Sequence, residues 1–186
     1  MRKLKLQMQI TVDGFVAGPE GQLDWMTWDM DQKLIGFIGH LTDTSDTILL
    51  GRKMTDGFIK YWEAEVAKPE GPQYSFARQM VDTPKVVFSK TLKRVDGKNV
   101  RVENAPLPQS VVRLKEQAGK DIVVYGGATF VSSLIDNGLI DELNFFVNPA
   151  AIGQGMRVFS ARRPLKLTGS TAYPCGIVVN TYAARS

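Results

Sequence analysis

Three apolar runs in this chain end on residues suited to holding an anion. Asp121–Phe130 reads Asp-Ile-Val-Val-Tyr-Gly-Gly-Ala-Thr-Phe, a buried-strand pattern that stops at Gly126-Gly127. A helical pattern over Ala128–Asn137 follows at once, with Phe130, Val131, Leu134 and Ile135 on its apolar side. Two glycines at such a turn let a ligand approach the backbone, and the free N–H groups of the new helix favour negative charge. A second run, Ile48-Leu49-Leu50, ends at Gly51-Arg52 and opens another helix, adding a guanidinium to its N–H donors. A third, Val86-Val87-Phe88, ends at Ser89-Lys90 and offers a hydroxyl and an ammonium. Ligands of open parallel sheets sit across the carboxyl ends of the strands, so the three ends together suit a ligand with several phosphates. Arg52 and Lys90 on neighbouring strands would suit a phosphate monoester, such as the 2′-phosphate that separates NADP from NAD. Taken singly, each feature reads equally well as a tight turn or a solvated surface charge.

The elements that must position these residues alternate along the chain. Leu4–Val12 reads as a strand closed by Asp13-Gly14, and Asp31–Leu41 as a helix with Leu34, Ile35, Phe37, Ile38 and Leu41. Thr47–Leu50 is a short buried strand, and Lys53–Glu65 a helix weakened by Gly57. A loop with Pro69, Gly71 and Pro72 precedes a short helix through Val81, for which Ser75 is the expected N-cap. Lys85–Ser89 is the third strand, Val100–Glu103 a candidate fourth, and Pro108–Gln117 an amphipathic helix stopped by Gly119. Glu142–Val147 is a strand ended by Pro149, and Leu165–Tyr173 with Ile177–Ala183 form a hairpin around Pro174-Cys175-Gly176. Alternating strands and helices followed by a hairpin imply one α/β domain over residues 1–186, its sheet mostly parallel with an antiparallel edge.

Composition narrows the chemistry. A hydrophobic content of 44% and a charged content of 23% are those of a globular chain, and no apolar run approaches a membrane span. A cytoplasmic location is expected, because the basic start is not followed by the apolar stretch of a signal peptide. One histidine and one cysteine argue against a zinc site, a fused zinc deaminase or a hydrolytic triad. The net charge of +4 comes from scattered basic residues without a nucleic-acid-binding motif, so an anionic small ligand accounts for it better. Gly-x-Gly-x-x-Gly and Gly-x-x-x-x-Gly-Lys are both missing, which excludes an ordinary Rossmann dehydrogenase and a Walker-type kinase. Asp13 sits in a Val-Asp-Gly turn where aspartate is common for local reasons. Trp25 and Trp28 could wall a pocket, or serve core packing or dimer contact.

In their order the motifs resemble one family. Ile10–Gly18 is similar to its opening strand and Asp-Gly turn. Leu49-Leu50-Gly51-Arg52, Pro84–Leu92 and Tyr125–Ala128 are similar to its cofactor segments. Leu139–Leu143 with Pro149, Gly153, Gly155 and Phe159 is similar to its C-terminal signature. The family is the bacterial bifunctional deaminase-reductase C-terminal domain family, whose fold is dihydrofolate-reductase-like. The resemblance implies a three-layer fold, NADPH as cofactor and hydride transfer to a small molecule. It places the chain beside the riboflavin-pathway reductase that acts on a phosphoribosylamino-pyrimidine.

Carried over position by position, Arg52 and Lys90, with Ser89, would meet the 2′-phosphate. Gly51 belongs to the same cofactor segment. Gly126, Gly127, Ala128 and Thr129 would hold the pyrophosphate, and Val16 and Ala17 would border the nicotinamide. Asp13 is the candidate catalytic residue, with Trp25 and Asp31 as candidate substrate contacts and no metal. The resemblance also implies a homodimer and a cis peptide between the two glycines. One departure stands out: Met54 replaces the threonine that usually meets the cofactor. The alternative reading is a nucleotide- or phospholigand-binding protein without turnover.

Overall fold

β-branched apolar runs, each too short to be a helix, pair into one sheet because the amphipathic segments between them can cover both of its faces. The computed structural model describes residues 1–184. In chain order the elements are β1 (Leu4–Thr11), α1 (Gln32–Asp43), β2 (Ser45–Gly51), α2 (Arg52–Val66), α3 (Tyr74–Asp82), β3 (Lys85–Phe88) and β4 (Val100–Glu103). They continue with α4 (Leu107–Glu116), β5 (Asp121–Val124), α5 (Ala128–Asp136), β6 (Glu142–Asn148), β7 (Leu165–Ala172) and β8 (Val178–Ala184). The eight strands lie in the order β4-β3-β2-β5-β1-β6-β8-β7. The six from β4 to β6 are parallel; β8 runs against them, and the edge strand β7, antiparallel to β8, runs with them again. This is the three-layer, mostly parallel sheet with a C-terminal antiparallel hairpin expected from the sequence.

Side-chain alternation divides the core between the two faces. Leu4, Leu6, Met8, Leu49 and Val86 face Val111 and Leu114 of α4 and Val131 and Leu134 of α5. Ile48, Leu50, Val87 and Val123 face the other way, toward Met54 and Phe58 of α2 and Met80 of α3. On that same side Leu34 and Leu41 of α1 meet Phe146 and Val179. Each such side chain, fully buried, contributes roughly 1.5–3 kcal/mol, whereas an exposed ion pair is worth about 0–1 kcal/mol. The packed faces therefore hold the strands in place, and charges at the strand ends are free to serve other ends.

Some boundaries differ from expectation. Ser75 lies inside α3 rather than capping it; the helix starts at Tyr74, after Gln73, with Ala77 N–H bonded to the Gln73 carbonyl. The preceding turn closes from Tyr74 N–H to the Gly71 carbonyl, so the chain already winds before Ser75 is reached. β4 is formed and runs parallel to β3. The 173–177 turn closes through Tyr173 N–H to Ile177 O and Gly176 N–H to Tyr173 O.

Candidate functional site

β3, β2 and β5 are immediate neighbours, so the three anion-suited ends form one continuous rim. Gly51 at the end of β2 pairs with Phe88 on β3, and Leu49 pairs with Val124 on β5. α2 starts from Gly51 and α5 from Gly127; neither start has a side-chain cap or an acid in its first turn. The N–H groups opening both helices thus point outward from adjacent strands with no side chain capping them. Gly126 and Gly127 reach this geometry with φ of +151° and +80°, a backbone that L side chains rarely adopt. Their peptide is trans, in place of the cis bond that the resemblance implies: the turn is made by the two positive φ values. Met54, at the position usually held by threonine, walls this turn, with its Sδ 3.4 Å from where a Gly126 Cβ would stand. Thr55, one residue on, is fully buried and its Oγ1 donates to the Gly51 carbonyl.

Gly51 is required for a steric reason. A Cβ there would lie 2.6 Å from Phe130 Cβ and 2.9 Å from Cγ, so α5 rests directly on the end of β2. Neither atom is the far end of a flexible side chain. Gly51→Ala is expected to cost about 1–3 kcal/mol through overpacking. It should lower the melting temperature and weaken nucleotide binding together, because it displaces α5. A calorimetric scan and a ligand titration on one preparation check this; an unchanged melting temperature would show that α5 does not rest on β2.

Charge is distributed unevenly between the two rims. At the amino ends of the strands, Arg2 pairs with Asp46, Lys5 with Asp121 at 2.8 Å, and Lys115 with Asp141 at 2.6 Å. At the carboxyl ends, Arg52 and Lys90 are exposed and neither forms an ion pair among the described residues. The Lys90 loop is held rigidly. Buried Ser89 accepts through Oγ from Thr91 N–H (3.2 Å) and Leu92 N–H (2.9 Å), while Asn104 donates to the carbonyls of Ser89 and Leu92. Ser89 therefore shapes the turn that presents Lys90, and Asn104, which nothing in the sequence singled out, braces it.

The ends of β1 and β6 build the next part of the rim. Thr11 Oγ1 donates to Asp13 at 2.6 Å, and the Asp13 carboxylate accepts Ile152 N–H at 3.1 Å and Gly153 N–H at 2.7 Å. The Thr11 hydroxyl foremost, aided by these backbone donors against the cost of desolvation, holds the carboxyl below its usual range. Asp13 is thus an ionised clamp between two loops. Buried Val16 and Ala17 complete it: Val16 N–H bonds to Met156 O and Met156 N–H to Ala17 O, at 2.9 and 2.8 Å.

Fully buried Asn148, at the end of β6, accepts Thr27 N–H at 2.8 Å and donates to Gln9 Oε1 at 2.7 Å, tying down the loop that carries Trp25. Half-buried Trp25 donates its Nε1–H to Gln22 O at 3.2 Å. Trp28 is 64% exposed.

Asp31 serves α1 instead, as its N-cap. Its Oδ1 accepts from Lys33 and Leu34 N–H and its Oδ2 from Cys175 N–H in the hairpin turn. Desolvation opposes its ionisation, but the Leu34 and Cys175 bonds outweigh it and the carboxyl lies below its usual range. Thr129 is exposed on the first turn of α5.

The structure thus gathers Gly51, Arg52, Ser89, Lys90 and Gly126–Thr129 on three adjacent strand ends. It sets Asp13, Val16 and Ala17 beside them, and commits Asp31 to capping. Asn104 and Asn148 belong to this framework and escaped sequence reasoning, since each acts through partners distant in the chain. Among the described residues, no group of three or more His, Cys, Asp or Glu side chains could hold a metal ion. Among the described residues, no helix is long and apolar enough to cross a membrane.

Comparison with known proteins places this geometry. The profile of the RibD C-terminal domain matches residues 2–179. The uncharacterized protein YyaP of Bacillus subtilis (strain 168) is 31% identical over 186 residues, covering 97% of this chain and 94% of that protein. A protein of Shewanella sp. PV-4 provisionally assigned to riboflavin biosynthesis superposes with a TM-score of 0.73 at 21% identity, covering 100% of both chains. The diaminohydroxyphosphoribosylaminopyrimidine deaminase/5-amino-6-(5-phosphoribosylamino)uracil reductase of Thermotoga maritima superposes with a TM-score of 0.66 at 15% identity, over 99% of this chain and 57% of that one. Dihydrofolate reductase of Enterococcus faecalis, solved with NADP(H), gives 0.60 at 14% identity over 99% of this chain and 97% of that one, so the fold is dihydrofolate-reductase-like. The chain belongs to the RibD C-terminal domain family, the reductase-like family related to riboflavin-biosynthesis reductases.

Proposed function

We propose that the protein is an NADPH-dependent oxidoreductase that passes a hydride to a small acceptor such as a pyrimidine riboside or a pterin-like compound. One observation carries this reading: two uncapped helix starts and two exposed, unpaired cations share one rim, whereas Arg2, Lys5 and Lys115 on the opposite rim are each paired with an aspartate. A rim made of N–H donors and cations is the complement of a polyanion. Arg52 and Lys90 would take the 2′-phosphate. The openings of α2 and α5, with Gly51, Gly126, Gly127, Ala128 and Thr129, would take the pyrophosphate. Val16 and Ala17, buried and bridged to Met156, would border the nicotinamide. Asp13 acts as a positioning residue: its carboxylate is consumed in fixing that wall and is held ionised, so it stores no proton near neutral pH. NADPH, when bound, supplies the hydride, and the chain orients the acceptor and keeps water out.

Calorimetric titration tests the cofactor assignment, with NADPH expected to bind at micromolar concentration and more tightly than NADH. Loss of reduced-nicotinamide absorbance with a panel of acceptors then tests turnover. No heat with NADPH would overturn the reading. Tight binding without turnover would leave the non-catalytic, NADP(H)-binding alternative.

We also propose that the working form is a homodimer joined along β7. This strand is the sheet edge, eight residues long and exposed beyond Leu165, an arrangement that invites pairing with a second copy. Sedimentation should give twice the 20.6 kDa chain mass, and Leu167→Lys should shift it toward the monomer. A monomer at all concentrations would reject the interface.

A further inference from the structure

We infer that the acceptor is a planar heterocycle that is neutral or cationic and carries no phosphate, seated between the exit loops of β1 and β6. The inference rests on the reductase reading and deepens it. A cleft of about 250 Å³ opens there between Gly18, Gln22, Asp24 and Trp25 on one loop and Ile152 and Gln154 on the other. This lies just below the usual range of ligand sites, roughly 300–1,000 Å³, and it matches a single ring system. Its two sides are fixed independently of any ligand. The Asp13 clamp and the Ala17–Met156 bridge hold the first loop to the second, and Asn148 anchors Thr27 beyond Trp25.

The lining sets the class. Trp25 is pinned through its indole N–H to Gln22 O, leaving its ring as a stacking surface. Asp24 brings a carboxylate to the mouth, and Glu20 adds a second one hydrogen bond away on Gln22. A phosphate brought here would face like charge, whereas a ring N–H or an amino group would find an acceptor. The cations of the rim do not cancel this field. Arg52 follows β2, two strands from β1, which is roughly 10 Å at about 4.8 Å per strand and so near one Debye length at 0.1 M salt. Arg157, on the second loop, keeps its charge but is drawn over the Phe15 ring at 4.2 Å and does not line the cleft.

The probes are uridine and uridine 5′-phosphate, titrated calorimetrically with and without saturating NADP⁺. Uridine should bind at least tenfold more tightly than its phosphate. Asp24→Asn should shrink that ratio several-fold while leaving NADP⁺ affinity unchanged, and Trp25→Ala should weaken both probes. Equal or tighter binding of the phosphate overturns the inference, as does an unaltered ratio in Asp24→Asn, or no binding of either probe at millimolar concentration. A uridine preference in a protein that binds no NADP⁺ would sink the cofactor reading and leave the cleft assignment standing.

Discussion

Arg52→Ala/Lys90→Ala is expected to bind NADPH and NADH with nearly equal affinity. Hydrogen bonds to charged groups contribute roughly 1.5–3 kcal/mol, and screening of these exposed side chains lowers that to about 1–1.5 kcal/mol each. At about 1.4 kcal/mol per factor of ten, the double variant should lose roughly 30- to 140-fold in NADPH affinity. NADH, which lacks the 2′-phosphate, should be held almost as before, because the helix starts that face the pyrophosphate are untouched. Stability should not change, since neither side chain is paired or buried. Arg52→Lys should recover part of the loss: the charge stays while the planar fork goes. Raising the salt should erode the NADPH preference of the natural protein and leave NADH alone. Side-by-side titration of both coenzymes decides it; an NADPH affinity within twofold of the natural protein would remove these cations from the site.

Gly155→Ala should separate the two halves of the site. A Cβ at Gly155 would overlap the Ala17 carbonyl oxygen and press within 3.2 Å of both Ile152 Cδ1 and Phe15 Cβ. The carbonyl cannot swing away without breaking its bond from Met156 N–H, half of the bridge that joins the β1 and β6 exits. The expected penalty is about 1–3 kcal/mol, and each kcal/mol lowers the melting temperature of a chain this long by about 2–4 °C. Because the phosphate-facing ends of β3, β2 and β5 are remote from the overlap, NADPH affinity should fall only through the nicotinamide end that Ala17 borders, by a few-fold. The acceptor side, whose wall is that bridge, should lose most of its function. If binding to both sides survives unchanged, the bridge is not what shapes the cleft.

β2, β3 and β5 were legible because each is a short apolar run marked by glycine or proline: Gly51 closes β2, Pro84 precedes β3, and Gly126 lies just beyond β5. Gly51, Ser89 and Gly126-Gly127 could be named as a set because each directly follows such a run. Helix starts were less legible. Ser75 has the chemistry of a cap, but the turn from Gly71 to Tyr74 had already begun the helix. Asp31 reads as a pocket residue from its position, but bonds from Lys33 and Leu34 N–H make it the α1 cap, and contact with Cys175, 144 residues on, makes it a tie to the hairpin.

By itself the sequence determined the alternating α/β class and the three anion-suited strand ends. These follow from local pattern and residue type. Tertiary structure alone decided that β5 inserts between β2 and β1, which turns three separate ends into one rim. It decided that Asp13 spends its charge on Ile152 and Gly153, 139 and 140 residues away, and that Arg2, Lys5 and Lys115 on one rim are paired with aspartates while Arg52 and Lys90 are not. Such outcomes depend on which strands pair and which loops meet, and those contacts form only when the whole apolar surface is buried together.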